Sequence, residues 1–221
     1  VLKKRTRGSS ELRWNAQERA VFRTLNRPSK IQSFLDEIRY NITDKTLSPR
    51  GVLAERVAHC FDGALFAAAA LEFHGYHPFI IDLRSNAQDD DHVLAIFKQA
   101  GLFGAIGKSN YTGCRYRDPV FRTLRELAMS YFNIWFNLAG RKTLREYSVL
   151  FDLEKVRDVD WRYTAEDLTP LGERLDGIRH YYLISRQAER NLADADDRLF
   201  RAETLGLNPK GAFQVKGARK L

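Results

Sequence analysis

Cys60 and His92 are the two side chains in this chain best suited to act together. A thiol attacks a carbonyl carbon as its thiolate, and an imidazole can take that proton and hand it to the leaving amine near neutral pH. Cys60 alone carries little weight, because a free cysteine in an alanine-rich run is ordinarily a small buried hydrophobe. His92 shifts the balance. It stands one strand beyond the apolar run that follows Cys60, directly after Asp89, Asp90 and Asp91. Asp90 and Asp91 should favour the imidazolium, and an imidazolium favours a thiolate on its partner. Cys114 sits in a polar loop with no histidine within a few residues and reads as a bystander. Two cysteines make no disulfide framework, and no Cys/His spacing fits zinc, so neither metal nor cofactor is expected.

A third group must orient the imidazole. A hairpin turn centred near Ala100 pairs His92 with a residue between Gly107 and Ser109, give or take one. Asn110 ends that stretch, and its amide oxygen could accept the ring N–H, as in Cys-His-Asn sites. Asp118 is the alternative, although its place before Pro119 is also explained by capping. Arg115 and Arg117 lie close by and could hold a carboxylate or phosphate; a solvated helix face is the better explanation of them.

The elements that must position these groups follow from the pattern. Residues 1–10 read as a disordered basic arm. Glu11 to Tyr40 reads as two helices broken near Pro28. Ser48-Pro49 starts a helix whose pattern continues to Phe73 without a clear breaker, and Gly75 closes it. Residues 61–71 are apolar on nearly every face, the mark of a central buried helix. Residues 78–83, 92–97 and 102–106 read as strands joined by short connections, so the sheet should be largely antiparallel. Asp118-Pro119 opens another helix, Thr143 to Tyr147 is a short one, and Leu171 to Leu205 is helical with one break. The expected fold is α+β, a Cys-bearing helix packed on an antiparallel sheet with extra helices at both ends. Residues 1–47 would form the arm and first helices, 48–140 the core, and 141–221 a mainly helical extension.

The chain has 221 residues, 44% hydrophobic, with net charge +8 and a pI near 9.6. Much of the excess lies near the ends (Lys3, Lys4, Arg5, Arg7; Lys210, Lys216, Arg219, Lys220), where it serves solubility. No nucleic-acid motif is present, no apolar run approaches bilayer length, and the basic start lacks the apolar stretch of a secretory leader. The expectation is a cytoplasmic protein acting on a peptide, protein or small amide.

The run Ala-His-Cys-Phe-Asp-Gly-Ala-Leu-Phe-Ala (58–67), then Leu-Glu-Phe-His-Gly-Tyr-His-Pro-Phe (71–79), resembles the transglutaminase-like, papain-related thiol enzymes. Asp-His-Val-Leu-Ala-Ile (91–96) resembles their histidine-bearing strand, and the next strand, 103–110, falls where they carry the third member. The resemblance covers about residues 50–120. It departs at Val93-Leu94, where an aromatic residue is frequent, and at Lys108-Ser109-Asn110, where an aspartate is usual. It implies a papain-like core and acyl transfer to, or hydrolysis of, an amide through a Cys60 thioester, of peptidase, deamidase or transglutaminase type. Inactive members make a non-catalytic module for an anionic ligand the alternative.

Overall fold

The computed structural model describes residues 13–221; the basic arm expected over residues 1–10 lies outside them. Two helices come first, α1 (Ala16–Thr24) and α2 (Pro28–Glu37). Asn15 and Glu18 form a reciprocal capping box on α1, and Pro28 opens α2 at a position where its missing N–H costs nothing. Next come β1 (Arg39–Tyr40), α3 (Pro49–Glu55), β2 (Val57–Ala58) and α4 (Cys60–Phe73).

The continuous helix expected from Pro49 to Phe73 is two helices. Arg56 turns left-handed (φ 56°), ending α3. The freed chain then pairs in parallel with the segment after α2, Arg39 opposite Val57 and Tyr40 opposite Ala58. α4 restarts with His59 as N-cap, its Nδ1 accepting from the Phe61 N–H, and with the Asp62 carboxylate accepting the His59 N–H. Twelve of the fourteen residues of α4, Phe61 to Glu72, are buried, as its all-round apolar surface requires. Gly75, at φ 86°, lets the chain leave it.

Seven strands form one sheet, all paired antiparallel: β3 (Phe79–Ser85), β4 (His92–Gln99), β5 (Leu102–Ile106), β6 (Arg117–Phe121), β7 (Leu144–Ser148), β8 (Phe151–Asp152) and β9 (His180–Tyr182). Their spatial order is β6-β5-β4-β3-β7-β9, with β8 also on β3. The chain is thus α+β with a helix laid on an antiparallel sheet. Strand periodicity divides two apolar layers. Ile80, Val93, Ala95 and Phe97 pack with α4, while Ile81, Leu83, Leu94 and Ile96 pack on the other face with Tyr131, Trp135 and Leu127. Leu127 belongs to α5 (Leu124–Met129).

Three expectations change. Asp118-Pro119 lies in β6 rather than at a helix start; β6 is an edge strand, where a proline is tolerated. Residues 143–147 are largely strand β7, because they complete the sheet beside β3. The stretch 171–205 holds α6 (Thr169–Asp176), β9, α7 (Arg186–Glu189) and α8 (Asp197–Glu203), so the C-terminal part supplies strands to the shared sheet as well as helices.

Candidate functional site

Cys60 is the first residue of α4, and His92 is the first residue of β4. Both line one cavity of about 640 Å³, with Tyr40, Ser109, Asn110 and Trp135 among its other walls. The capped start of α4 puts the thiol beside the main-chain N–H groups of a helix's first turn, which lower a thiol pKa. Burial opposes this and prevails. It pushes the Cys60 thiol up to about 12, despite the Val93 main-chain N–H aimed at the sulfur and with nearby carboxylates adding to the rise. The thiol's own hydrogen bond is a long one, 4.0 Å to the carbonyl of Asp91, rather than one to the His92 ring.

His92 is buried, edge-on to Trp135 with ring centroids 5.5 Å apart. Its Nε2 donates to the main-chain carbonyl of Cys114 at 2.9 Å. That bond fixes the tautomer and leaves Nδ1 as the acceptor. Burial lowers the imidazole to about 4, with the Cys114 carbonyl pulling the other way. The expected thiolate–imidazolium pair is therefore not the resting state; desolvation of each group leaves both neutral at pH 7.

The hairpin register explains what became of the third member. β4 and β5 pair from Gln99–Leu102 to Ala95–Ile106, through a turn in which Ala100 and Gly101 both have positive φ. Continued, that register sets Ser109 opposite His92. The strand peels away first: the Gly107 N–H donates to Gln32 Oε1, and its carbonyl accepts from Gln32 Nε2. Lys108 is drawn toward α2, its Nζ donating to the carbonyls of Leu35 and Ile38. Asn110 lines the cavity, yet its amide is engaged with Asn208 in a reciprocal pair: Nδ2 donates to the Asn208 carbonyl and Oδ1 accepts the Asn208 N–H, each at 2.8 Å. The ring partner expected of Asn110 is the Cys114 carbonyl instead. Asp118, on β6, is outside the cavity.

Arg117 lies flat on Tyr131, 3.9 Å from the ring centre, and donates to Ser130 Oγ and to the carbonyls of Gly113 and Tyr116. It holds the loop together. Arg115 pairs with Asp36 at 3.1 Å and lines an adjoining cavity of about 820 Å³, where an anionic group could reach it. The two cavities share Tyr40 to Thr43 and Ser109 to Tyr111.

Sequence reasoning missed Tyr40, Asp62 and the segment 210–213. Tyr40 reaches the cavity only because β1 pairs with β2, and burial, with Cys60 and acidic neighbours, holds its hydroxyl well above the usual phenol range. Asp62 is fully buried and accepts three bonds besides its 3.3 Å contact with His59 Nε2: from the Leu47 N–H (2.7 Å), the His59 N–H (3.0 Å) and Asn41 Nδ2 (3.0 Å). It ties the 41–47 loop to the start of α4. Residues 210–213 line the cavity as a strap along its wall, next to the Asn110–Asn208 pair. Only the S/T/N-type turn residues around Asn208 hint at this in the sequence.

Among the described residues, no helix is long and apolar enough to cross a membrane. No family model matches the chain. One curated protein, tubulinyl-Tyr carboxypeptidase 1 of Mus musculus, is 29% identical over 85 residues, which is 37% of this chain and 22% of that protein. The match thus spans about a fifth of that relative's length.

Proposed function

We propose that the chain is a thiol-dependent amide hydrolase of peptidase type with a papain-like, transglutaminase-like core, Cys60 as nucleophile and His92 as base. The observation that carries this reading is the common cavity onto which the first residue of α4 and the first residue of β4 both open. The partial similarity to a carboxypeptidase supports the peptidase class over the deamidase and transglutaminase classes. It also points to a peptide substrate.

The chemistry starts from a neutral pair. Substrate binding brings a peptide carbonyl to Sγ, the Cys60 proton passes to His92 Nδ1, and the sulfur–carbon bond forms. The developing oxyanion meets the Cys60 main-chain N–H, which has no intrahelical acceptor at the first helical position. The Tyr40 hydroxyl, kept protonated by burial, is a second donor on the same wall. The imidazolium then protonates the leaving amine, and water, activated by the regenerated base, resolves the thioester. A neutral resting pair makes the thiol inert until a substrate excludes water and shifts that proton.

The alternative is a binding module, favoured by the thiol's high pKa and by the absence of a Cys60–His92 hydrogen bond. A library of peptides with varied C-terminal residues, incubated with the chain and read by mass spectrometry, separates the two. Cleavage that disappears in Cys60→Ala and in His92→Ala supports the hydrolase. Binding of peptides without cleavage, unchanged in Cys60→Ala, supports the module.

A further inference from the structure

We propose that Asp82, Asp91 and Asp176 form a site for a hard divalent cation at the rim of the Cys60 cavity. Three elements converge there. Asp82 lies within β3, Asp91 immediately precedes β4, and Asp176 ends α6. Carboxylate oxygens of the three lie within 4.8 Å of one another. Asp91 and Asp176 are exposed and line the cavity, whereas Asp82 is 1% exposed.

The Asp82 carboxylate marks this cluster out from an ordinary acidic surface. Its Oδ2 accepts from His180 Nε2 at 2.9 Å, but its Oδ1 is buried with no hydrogen-bond partner. A buried carboxylate oxygen left without a donor is costly, and native structures rarely keep one without a reason. Of the positive groups nearby, His180 bonds only the other oxygen, Oδ2, and Arg84 is turned elsewhere. Arg84 directs Nη2 to the main-chain carbonyl of Asp176 and Nη1 to Glu146, and its Nε stays 3.9 Å from Asp91 Oδ2. The Ser85 N–H holds Asp91 Oδ1 at 2.7 Å, which leaves Oδ2 for a ligand. Burial raises the Asp91 carboxyl to about 6, and Asp82 and Asp176 add repulsion. The same causes, burial and then Asp82, raise Asp176. A cation would satisfy the stranded oxygen and relieve the repulsion in one step.

The donor set names the class of ion. Three carboxylate oxygens, with no thiolate among them and the nearby imidazole already bonded to Asp82, suit Ca²⁺, Mn²⁺ or Mg²⁺ rather than zinc or copper. Oxygens around one Ca²⁺ at about 2.3–2.6 Å can stand up to about 5 Å apart, which covers the separation seen; Mg²⁺, at about 2.0–2.1 Å, needs a tighter cluster. His180 would orient the Asp82 ligand from behind, as outer-shell partners do. Water from the cavity would complete the coordination.

The test is calorimetric titration of the full chain with CaCl₂, MnCl₂ and MgCl₂ in separate runs, paired with thermal unfolding at each concentration. Asp176→Asn is the main variant, because Asp176 is exposed and its loss leaves the core intact. Asp197→Asn, on the exposed first turn of α8, is the control. One-site binding by the wild type and by Asp197→Asn, weakened at least about tenfold (~1.4 kcal/mol) in Asp176→Asn, is the expected result. No heat and no rise in unfolding temperature with any of the three ions up to roughly 10 mM, above the range of weak extracellular Ca²⁺ sites, would overturn it. So would equal binding by Asp176→Asn. No substrate enters the measurement, so a negative result leaves the thiol mechanism untouched.

Discussion

His92 donates its Nε2–H to the main-chain carbonyl of Cys114 at 2.9 Å, so the group that orients the imidazole has no side chain to remove. Nitrogen-detected NMR should therefore show the Nε2–H tautomer in the wild type and equally in Cys114→Ala. The ring should titrate near pH 4, where burial places it. A midpoint near 6.5, or a changed tautomer in Cys114→Ala, contradicts this geometry.

The same burial links His92 to stability. Its folded pKa lies below the unfolded value of about 6.5, so its contribution is full above that pH. The contribution fades as pH falls toward 4, because the unfolded chain takes up the proton first. The difference amounts to about 3 kcal/mol. Asp89 and Asp91, each raised to about 6 chiefly by burial, act in the opposite direction over the overlapping range. Denaturation curves of wild type against His92→Gln isolate the histidine. The wild type should lose stability relative to the variant between pH 6.5 and 4, and parallel pH profiles would exclude the effect.

Cys60 should alkylate slowly. With its thiol at about 12, reaction with iodoacetamide at pH 7–9 should run well below that of a free peptide thiol and keep rising beyond pH 10. A plateau below pH 8 would mean a resting thiolate and a different electrostatic balance at the start of α4.

The strap along the cavity wall is tied to the loop at Asn110 by one amide. Asn110→Ala removes both bonds to Asn208, each worth roughly 1 kcal/mol net. Limited proteolysis should then cut within residues 208–213 faster, a bulky maleimide should reach Cys60 sooner, and the unfolding temperature should fall by roughly 4–8 °C. Unchanged rates would show that the strap is held by its packing instead.

Gly63 tests the seating of α4. A Cβ there would fall inside van der Waals contact of Lys108 Cβ, on a residue held by two carbonyls of α2. Gly63→Ala should destabilise by about 1–3 kcal/mol through overpacking, outweighing the gain of about 1 kcal/mol in helix propensity. A raised unfolding temperature would show that Lys108 yields.

The parts of the fold that could be read from the sequence were the locally determined ones. β3, β4 and β5 announce themselves as short apolar runs bounded by turn residues, above all the Ala100-Gly101 turn, and α4 by its unbroken apolar surface. The boundary before Cys60 was hidden, because it depends on a left-handed Arg56 and on a parallel pairing with Arg39-Tyr40, made across seventeen residues. Histidine is also not among the usual N-cap residues. β9 has three residues and no pattern of its own; it exists because β7 offers an edge. At the site, Cys60 and His92 could be nominated from chemistry and order. Tyr40 and Asp62 could not, since their roles come from partners on separate elements. Asn110 was nominated for its amide, and that amide serves a residue 98 positions away.

Residues Ala67 to Ala70, buried all round the middle of α4, end at Cβ, and this lets β4, α3 and α2 all lie close upon the helix. They act as a spacer gauge for the thiol at the helix tip. A larger side chain at any of the four would lift or tilt a fairly stiff rod some 21 Å long, and its end would sweep sideways. A displacement of about 1 Å at a reacting atom can cost two orders of magnitude in rate. Substitutions that touch neither the cavity nor its lining could therefore silence it by leverage alone.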